Sequence, residues 1–249
     1  MKKILTAIMV GAVSMQTFFA SPAEVSAAKV NFSTENFSAA EKETYEKGFY
    51  VKQIDDELFA KIKGKSYKDN CVVPLEDLRY LHVLHKDLQG KTHEGEIICN
   101  SYIVYDLLDI FQKLYLANYP IEKIRLVDEY NADDETSMRD NNSSCFNFRF
   151  ISHTKRVSKH GLGLAMDINT LYNPFTKVVD GERILEPATA GAYVDRKKNF
   201  DYKITHEDLC YKLFKEHGFE WGGDWTSVKD YQHFELKSDI VKILYPDFF

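Results

Sequence analysis

The residues with the most chemical promise are Ser158-Lys159-His160-Gly161-Leu162-Gly163-Leu164-Ala165-Met166-Asp167 and, far downstream, Asp230-Tyr231-Gln232-His233-Phe234-Glu235. Gly163, Ala165 and Asp167 alternate with Leu164, Met166 and Ile168, the period-two pattern of a strand with one apolar face. Asp167 then leaves the strand on the side of two small residues, where there is room, and His160 sits just upstream. His233 and Glu235 against Phe234 and Leu236 present a second imidazole in the same way. Two imidazoles and a carboxylate suit one catalytic Zn2+, with the fourth tetrahedral position open to water. His160, Asp167 and His233 are therefore the candidate metal ligands. Asp230, three residues before His233, is a spare carboxylate placed to act as general base.

The pattern Ser-x-His-x-x-Gly-x-Ala-x-Asp followed by Asp-x-x-His resembles the zinc D-alanyl-D-alanine carboxypeptidase family, which includes D,D-dipeptidases and L-alanyl-D-glutamate endopeptidases of bacterial cell walls. Similar blocks run from about Cys71 to the C-terminus, among them Asn141-Asn142-Ser143-Ser144, Phe146-Asn147-Phe148-Arg149, Tyr172-Asn173-Pro174 and Trp221-Gly222-Gly223-Asp224-Trp225. The resemblance implies an arginine before the metal motif that stabilises the substrate carbonyl and the tetrahedral intermediate. Arg149 best matches that position, with Arg139 as competitor. It also implies that the Ser158 hydroxyl orients substrate. Family members carry Glu or Asp as the base, so Asp230 fits.

Several elements must position these groups. Met1-Lys2-Lys3 followed by the apolar run Ile4 to Ala20 has the form of a secretory signal peptide, with a small-residue cleavage site at Val25-Ser26-Ala27 or Ser26-Ala27-Ala28. Residues 1–28 are thus a leader, 29–70 a lead-in segment and 71–249 the metallopeptidase domain. Removing the leader takes two lysines and one glutamate from 32 basic and 38 acidic side chains, so the formal charge moves from −6 to −7. That balance does not point to nucleic acid, and no second apolar stretch is long enough to span a bilayer. Cys71, Cys99, Cys145 and Cys210 allow three full disulfide pairings in an exported chain, or serve as small buried apolar residues.

Within the lead-in, Ile54, Leu58, Phe59 and Ile62 mark a short helix ending near Gly64. Strand formers from Tyr80 to His85, then Gly90 and Gly95 around a turn before Glu96-Ile97-Ile98-Cys99, indicate a hairpin. Asn100 caps a helix whose apolar stripe runs from Ile103 to Tyr115 and stops before Pro120. Residues 121–127 alternate as a strand, and Tyr130–Ser144 is a long polar loop in which Asp133 and Asp134 order the chain by hydrogen bonds. Residues 176–203 read as loop beside the cleft. Thr205-His206-Glu207-Asp208 resembles a capping box opening a helix that Gly218 closes. Of the two tryptophans that follow, one can brace the metal shell and the other line the cleft, while Asp224 is a candidate partner for a ligand histidine. His82 and His85 are read as structural, His93 as a turn residue, and His206 and His217 as caps at the ends of this last helix rather than as ligands.

Hairpin, separate strands and amphipathic helices do not alternate as strict βαβ units, so the fold class is α+β. The resemblance implies an antiparallel sheet with packed helices and the zinc in an open cleft, as in hedgehog-type domains. It implies a secreted or cell-envelope bacterial zinc metallopeptidase whose partners are peptidoglycan stem peptides, most directly a D-alanyl-D-alanine carboxypeptidase. An L-alanyl-D-glutamate endopeptidase is the alternative bond specificity. A zinc-stabilised binding module without catalysis is the alternative of another class, disfavoured by the presence of both Asp230 and Arg149.

Overall fold

The computed structural model describes residues 32–151, 154 and 156–248, and the leader 1–28 lies outside them. The elements run α1 (Ala39–Gly48), β1 (Tyr50–Gln53), α2 (Asp56–Ile62), β2 (Leu78–Lys86), β3 (Thr92–Asn100), α3 (Val104–Leu116), β4 (Lys123–Ile124), α4 (Asp134–Arg139), β5 (Asn142–Ser143), β6 (Ala165–Asp167), β7 (Phe175–Val179), β8 (Glu182–Glu186), α5 (Leu209–Glu216), β9 (Phe219–Trp221), β10 (Lys229–Asp230), β11 (His233–Leu236) and α6 (Ser238–Leu244). The class is α+β. Three small antiparallel sheets, β1-β2-β3, β6-β11-β9 and β10-β7-β8, carry the architecture, and β4-β5 is a parallel pair.

The lead-in does more than extend along the surface. Ser38 and Glu41 form a reciprocal capping box that starts α1, and β1 adds an edge strand to β2 in the register Tyr50↔His82 to Gln53↔Arg79. The hairpin β2-β3 turns at Gly90, whose φ of 75° needs no Cβ. Gly95 belongs instead to β3, opposite Val83. Val104, Leu107, Ile110, Phe111 and Leu114 give α3 its buried face against β2. Asn100 does not cap this helix: its Oδ1 accepts from Tyr102 N at 3.0 Å and shapes the turn before it.

Three further expectations are corrected. The strand expected over 121–127 shrinks to β4, because only Lys123 and Ile124 find a partner, in β5. The expected loop 176–203 begins with the β7-β8 hairpin, whose turn residues Asp180 and Gly181 have φ of 51° and 85°. The helix expected from Thr205 starts a turn later, at Leu209, with Asp208 as its cap accepting from Cys210 N at 2.8 Å. Gly218, with φ 82°, does close it.

The main core joins the α3 face, the inner faces of β2 and β3, and the apolar sides of β6, β11 and α5. Phe214 of α5 stacks on Phe234 of β11 with ring centroids 4.2 Å apart, fixing the back of the strand that carries His233. All four cysteines are free thiols. Burial raises the pKa of the Cys99, Cys145 and Cys210 thiols, so they behave as apolar core groups. Among the described residues no helix is long and apolar enough to cross a membrane.

Candidate metal centre

The centre is built on two paired strands. In the β6-β11 register Asp167 stands directly opposite His233, so their side chains share one face, while Leu164, Met166, Ile168 and Phe234 are fully buried. The alternation read from the sequence therefore places both groups on the side away from the core. His160 comes from a single 3-10 turn, His160–Leu162, which ends at Gly163 with φ 68°. A Cβ on Gly163 would stand 2.7 Å from Asn100 N, so the turn docks on the end of β3 only because that atom is missing.

The three groups converge. His160 Nε2 lies 3.0 Å from His233 Nδ1 and 3.2 Å from Asp167 Oδ2, and His233 Nδ1 lies 3.0 Å from Asp167 Oδ1. Donors on a tetrahedral ion with bonds near 2.0–2.1 Å stand about 3.3 Å apart, so this triangle needs only a few tenths of an ångström of expansion to hold zinc. The outer nitrogens are also committed. His160 Nδ1 donates to the Cys145 carbonyl at 2.6 Å, and His233 Nε2 donates to Glu235 Oε2 at 3.0 Å, leaving Nε2 of one ring and Nδ1 of the other to face the centre.

Electrostatics in the metal-free centre follow from the same contacts. Burial works against charge on His233, but hydrogen bonds to Asp167 and Glu235 outweigh it and push the imidazole pKa up to about 10. Burial would likewise raise Asp167, yet the two imidazoles hold it well below the usual carboxylate range.

Asp230 lies on β10, which pairs with Phe175 of β7. Burial, opposed by His233 and reinforced by the Asp167 charge, pushes its pKa up to about 7. Its Oδ1 is one of three buried side-chain atoms without a hydrogen-bond partner among the described residues, the others being Asn147 Oδ1 and Gln232 Oε1. An acceptor left bare at this depth suits a site that receives a proton donor. A Cβ on Gly222 would fall 2.6 Å from the Asp230 carbonyl oxygen and 2.7 Å from its Cβ, so glycine at 222 is what lets the chain pass beside the carboxylate.

Arg149 is anchored by Asp134 Oδ2 to Nε at 2.5 Å and by Ser158 Oγ to Nη1 at 2.7 Å. Burial disfavours its charge, but Asp134, with Asp167 and Glu186 contributing, raises its pKa above the ordinary arginine value. Asp133 caps α4 and Asp134 also holds Asn147 Nδ2 at 2.7 Å, the loop-ordering role expected of the pair. Arg139 points elsewhere and pairs with Glu135 on α4. Trp221 is core, with Nε1 donating to Tyr231 O, whereas Trp225 is half-buried with its ring 5.4 Å from that of His233.

The expected role of Asp224 is overturned: it accepts from His206 Nε2 at 2.6 Å, and the carboxylate on a ligand histidine is Glu235. The sequence carried a signal for it, since residues two apart on a strand share a face. Of the other histidines read from the sequence, His82 and His85 are structural, as expected, while His206 pairs with Asp224 and does not cap α5, whose N-cap is Asp208. His82 and His85 bond to the Gly48 and Ile121 carbonyls, and His217 bridges Asp106 and Asp109. A pocket of about 580 Å³ lined by Tyr172, Tyr193, Asn199, Phe200 and Asp201 contains none of the candidate site residues.

A family model described as D-alanyl-D-alanine carboxypeptidase matches residues 152–236. The match takes in Ser158, His160, Asp167, Asp230 and His233, and leaves Arg149 just outside. No solved structure matches the chain.

Proposed function

From a chain whose residues 152–236 carry the D-alanyl-D-alanine carboxypeptidase family pattern, we propose an exported zinc peptidase that removes the terminal D-alanine from peptidoglycan stem peptides. The observation that supports it most is the convergence of His160, Asp167 and His233 on one point, in the same peptidase segment as an unpartnered buried Asp230 oxygen. Those three residues would hold a zinc ion, and the chemistry it would supply there is Lewis acidity toward water and the scissile carbonyl.

The chain's own residues divide the remaining work. Ionised Asp230 takes the proton of the attacking water and returns it to the leaving amine, a role suited to a buried carboxylate whose proton affinity burial raises. Arg149 donates to the carbonyl oxygen as negative charge builds there. Two of its five N–H donors go to Asp134 and Ser158, which fixes the plane of the guanidinium and leaves the other three for substrate. Ser158 thus orients substrate through Arg149 as well as by its own hydroxyl.

Digestion of purified peptidoglycan and synthetic stem peptides by the mature zinc-loaded chain, read by mass spectrometry beside Asp230→Ala, tests this reading. Loss of one D-alanine that disappears in the variant is the expected result. Cleavage after the first L-alanine would transfer the assignment to the endopeptidase, and no product on any of these substrates would overturn peptidase action on the wall. Export is tested by the N-terminal sequence of protein recovered outside the cell, expected to begin at or near Lys29.

A further inference from the structure

Lys159 immediately precedes a candidate ligand, and its side chain is buried, with 6% relative exposure. Its Nζ donates to Glu235 Oε1 at 2.8 Å, to the Leu236 carbonyl at 2.8 Å and to Ser238 Oγ at 3.0 Å. An ammonium has three N–H donors, and all three are met. The other oxygen of the same carboxylate, Glu235 Oε2, accepts from His233 Nε2. A continuous chain therefore runs from α6 and the end of β11 through Lys159 and Glu235 to the imidazole whose Nδ1 faces Asp167 and His160.

Taking an ammonium and a carboxylate out of water is costly, and packed apolar side chains would serve stability as well or better. What the pair does that apolar residues could not is orient a ring. With Glu235 pinned by the ammonium on one oxygen and accepting on the other, His233 is held against rotation with its Nε2 proton committed, so that Nδ1 is the nitrogen that gives up its proton to a metal. Its partner ligand has no such device, for His160 is oriented by the neutral Cys145 carbonyl. A carboxylate behind a ligand imidazole also makes it a stronger donor. We infer that Lys159 and Glu235 are a positioning pair that sets the tautomer, orientation and donor strength of His233 toward the metal, and that ties the centre to the start of the C-terminal helix. This rests on the zinc reading of the site.

The test compares the full mature chain with Lys159→Met, Glu235→Gln and the double variant Lys159→Met/Glu235→Leu. Three quantities are read: zinc affinity by competition with a chromophoric chelator, the visible spectrum of the Co2+-loaded protein, and the thermal midpoint of the metal-free protein. Each single change is expected to weaken zinc binding about 10- to 100-fold, to move the Co2+ bands and to lower the midpoint. The double variant removes both buried charges together, so its midpoint should recover toward that of the unaltered chain while zinc affinity stays low and the bands stay shifted. Recovery of affinity and spectrum along with the midpoint would reduce the pair to a structural ion pair and overturn the inference. Failure of the unaltered chain to bind zinc would overturn the metal reading itself, an outcome the first titration separates from the other.

Discussion

Two buried strand histidines, His85 in the hairpin sheet and His233 in the β6-β11-β9 sheet, are driven in opposite directions. His85 Nδ1 meets the Ile121 carbonyl, and burial pulls its pKa down to about 4, so it is a neutral core group. His233 meets two carboxylates, which hold it cationic up to about 10 when no metal is present. Burial is common to both, so it does not mark a functional histidine. What separates them is whether the ring's partners are charged and whether other donors converge on its free nitrogen.

The largest effect should fall on one side of this comparison only. His233→Ala is expected to abolish stoichiometric zinc binding and peptidase activity, measured by chelator competition and stem-peptide hydrolysis. His85→Ala is expected to leave kcat intact and to lower unfolding free energy by about 1–3 kcal/mol through an unsatisfied buried carbonyl, measured by denaturant titration. Activity in the first variant, or its loss in a folded second, would break the contrast.

Asp230→Asn should retain zinc and lose about 10²–10⁴ in kcat. Because the base must be ionised, kcat/KM of the unaltered enzyme should fall as pH drops below a midpoint of about 7 or less, since a bound cation favours the carboxylate. The asparagine variant should lack that limb. A similar pairing sets Arg149 against Arg139: Arg149→Met should lower kcat about 10²–10³-fold, whereas Arg139→Met, which breaks only an exposed pair on α4, should leave it within twofold.

The smallest effect is in metal-free stability against pH. His85 has a folded pKa below its unfolded value of about 6.5, so its contribution is present above that pH and is lost as pH falls toward about 4. For His233 the folded pKa is above the unfolded value, so its contribution is present below about 6.5 and is lost as pH rises through about 10. Thermal midpoints in chelator should therefore flatten on the acid side in a His85 variant and on the alkaline side in a His233 variant. Zinc must displace the His233 proton, so metal binding should release protons and tighten with rising pH, measurable by calorimetry in buffers of different ionisation enthalpy.

These contrasts show what the sequence could carry. The convergence of His160, Asp167 and His233 was legible because Asp167 and His233 each sit in a short alternating strand pattern, and pairing β6 with β11 needed only the two alternations to face each other. Glu235 was visible on the face of His233 yet passed over for Asp224, because a carboxylate near a site in sequence is not thereby near it in space. The β7-β8 hairpin was announced by Asp180-Gly181 between Val178-Val179 and Ile184-Leu185, a turn pair that favours such hairpins, but Pro187 and Gly191 made the whole region read as loop. The lead-in strand β1 had no local signal strong enough to declare itself, since its short, mostly exposed run acquires meaning only beside β2. The anchoring of Arg149 by Asp134 and Ser158 joins residues 15 and 9 positions apart, with geometry that no helix or strand repeat encodes.

Gly222 shows where variation in this chain is closed. It has no side chain that would flag it, yet any larger residue would collide with the backbone and Cβ of Asp230. In a saturation library position 222 should therefore behave like a ligand, tolerating almost nothing, while more exposed neighbours such as Asp224 accept many residues. A survey that ranks positions by their reactive atoms would pass over it; one that ranks them by the space they leave would find it beside the base.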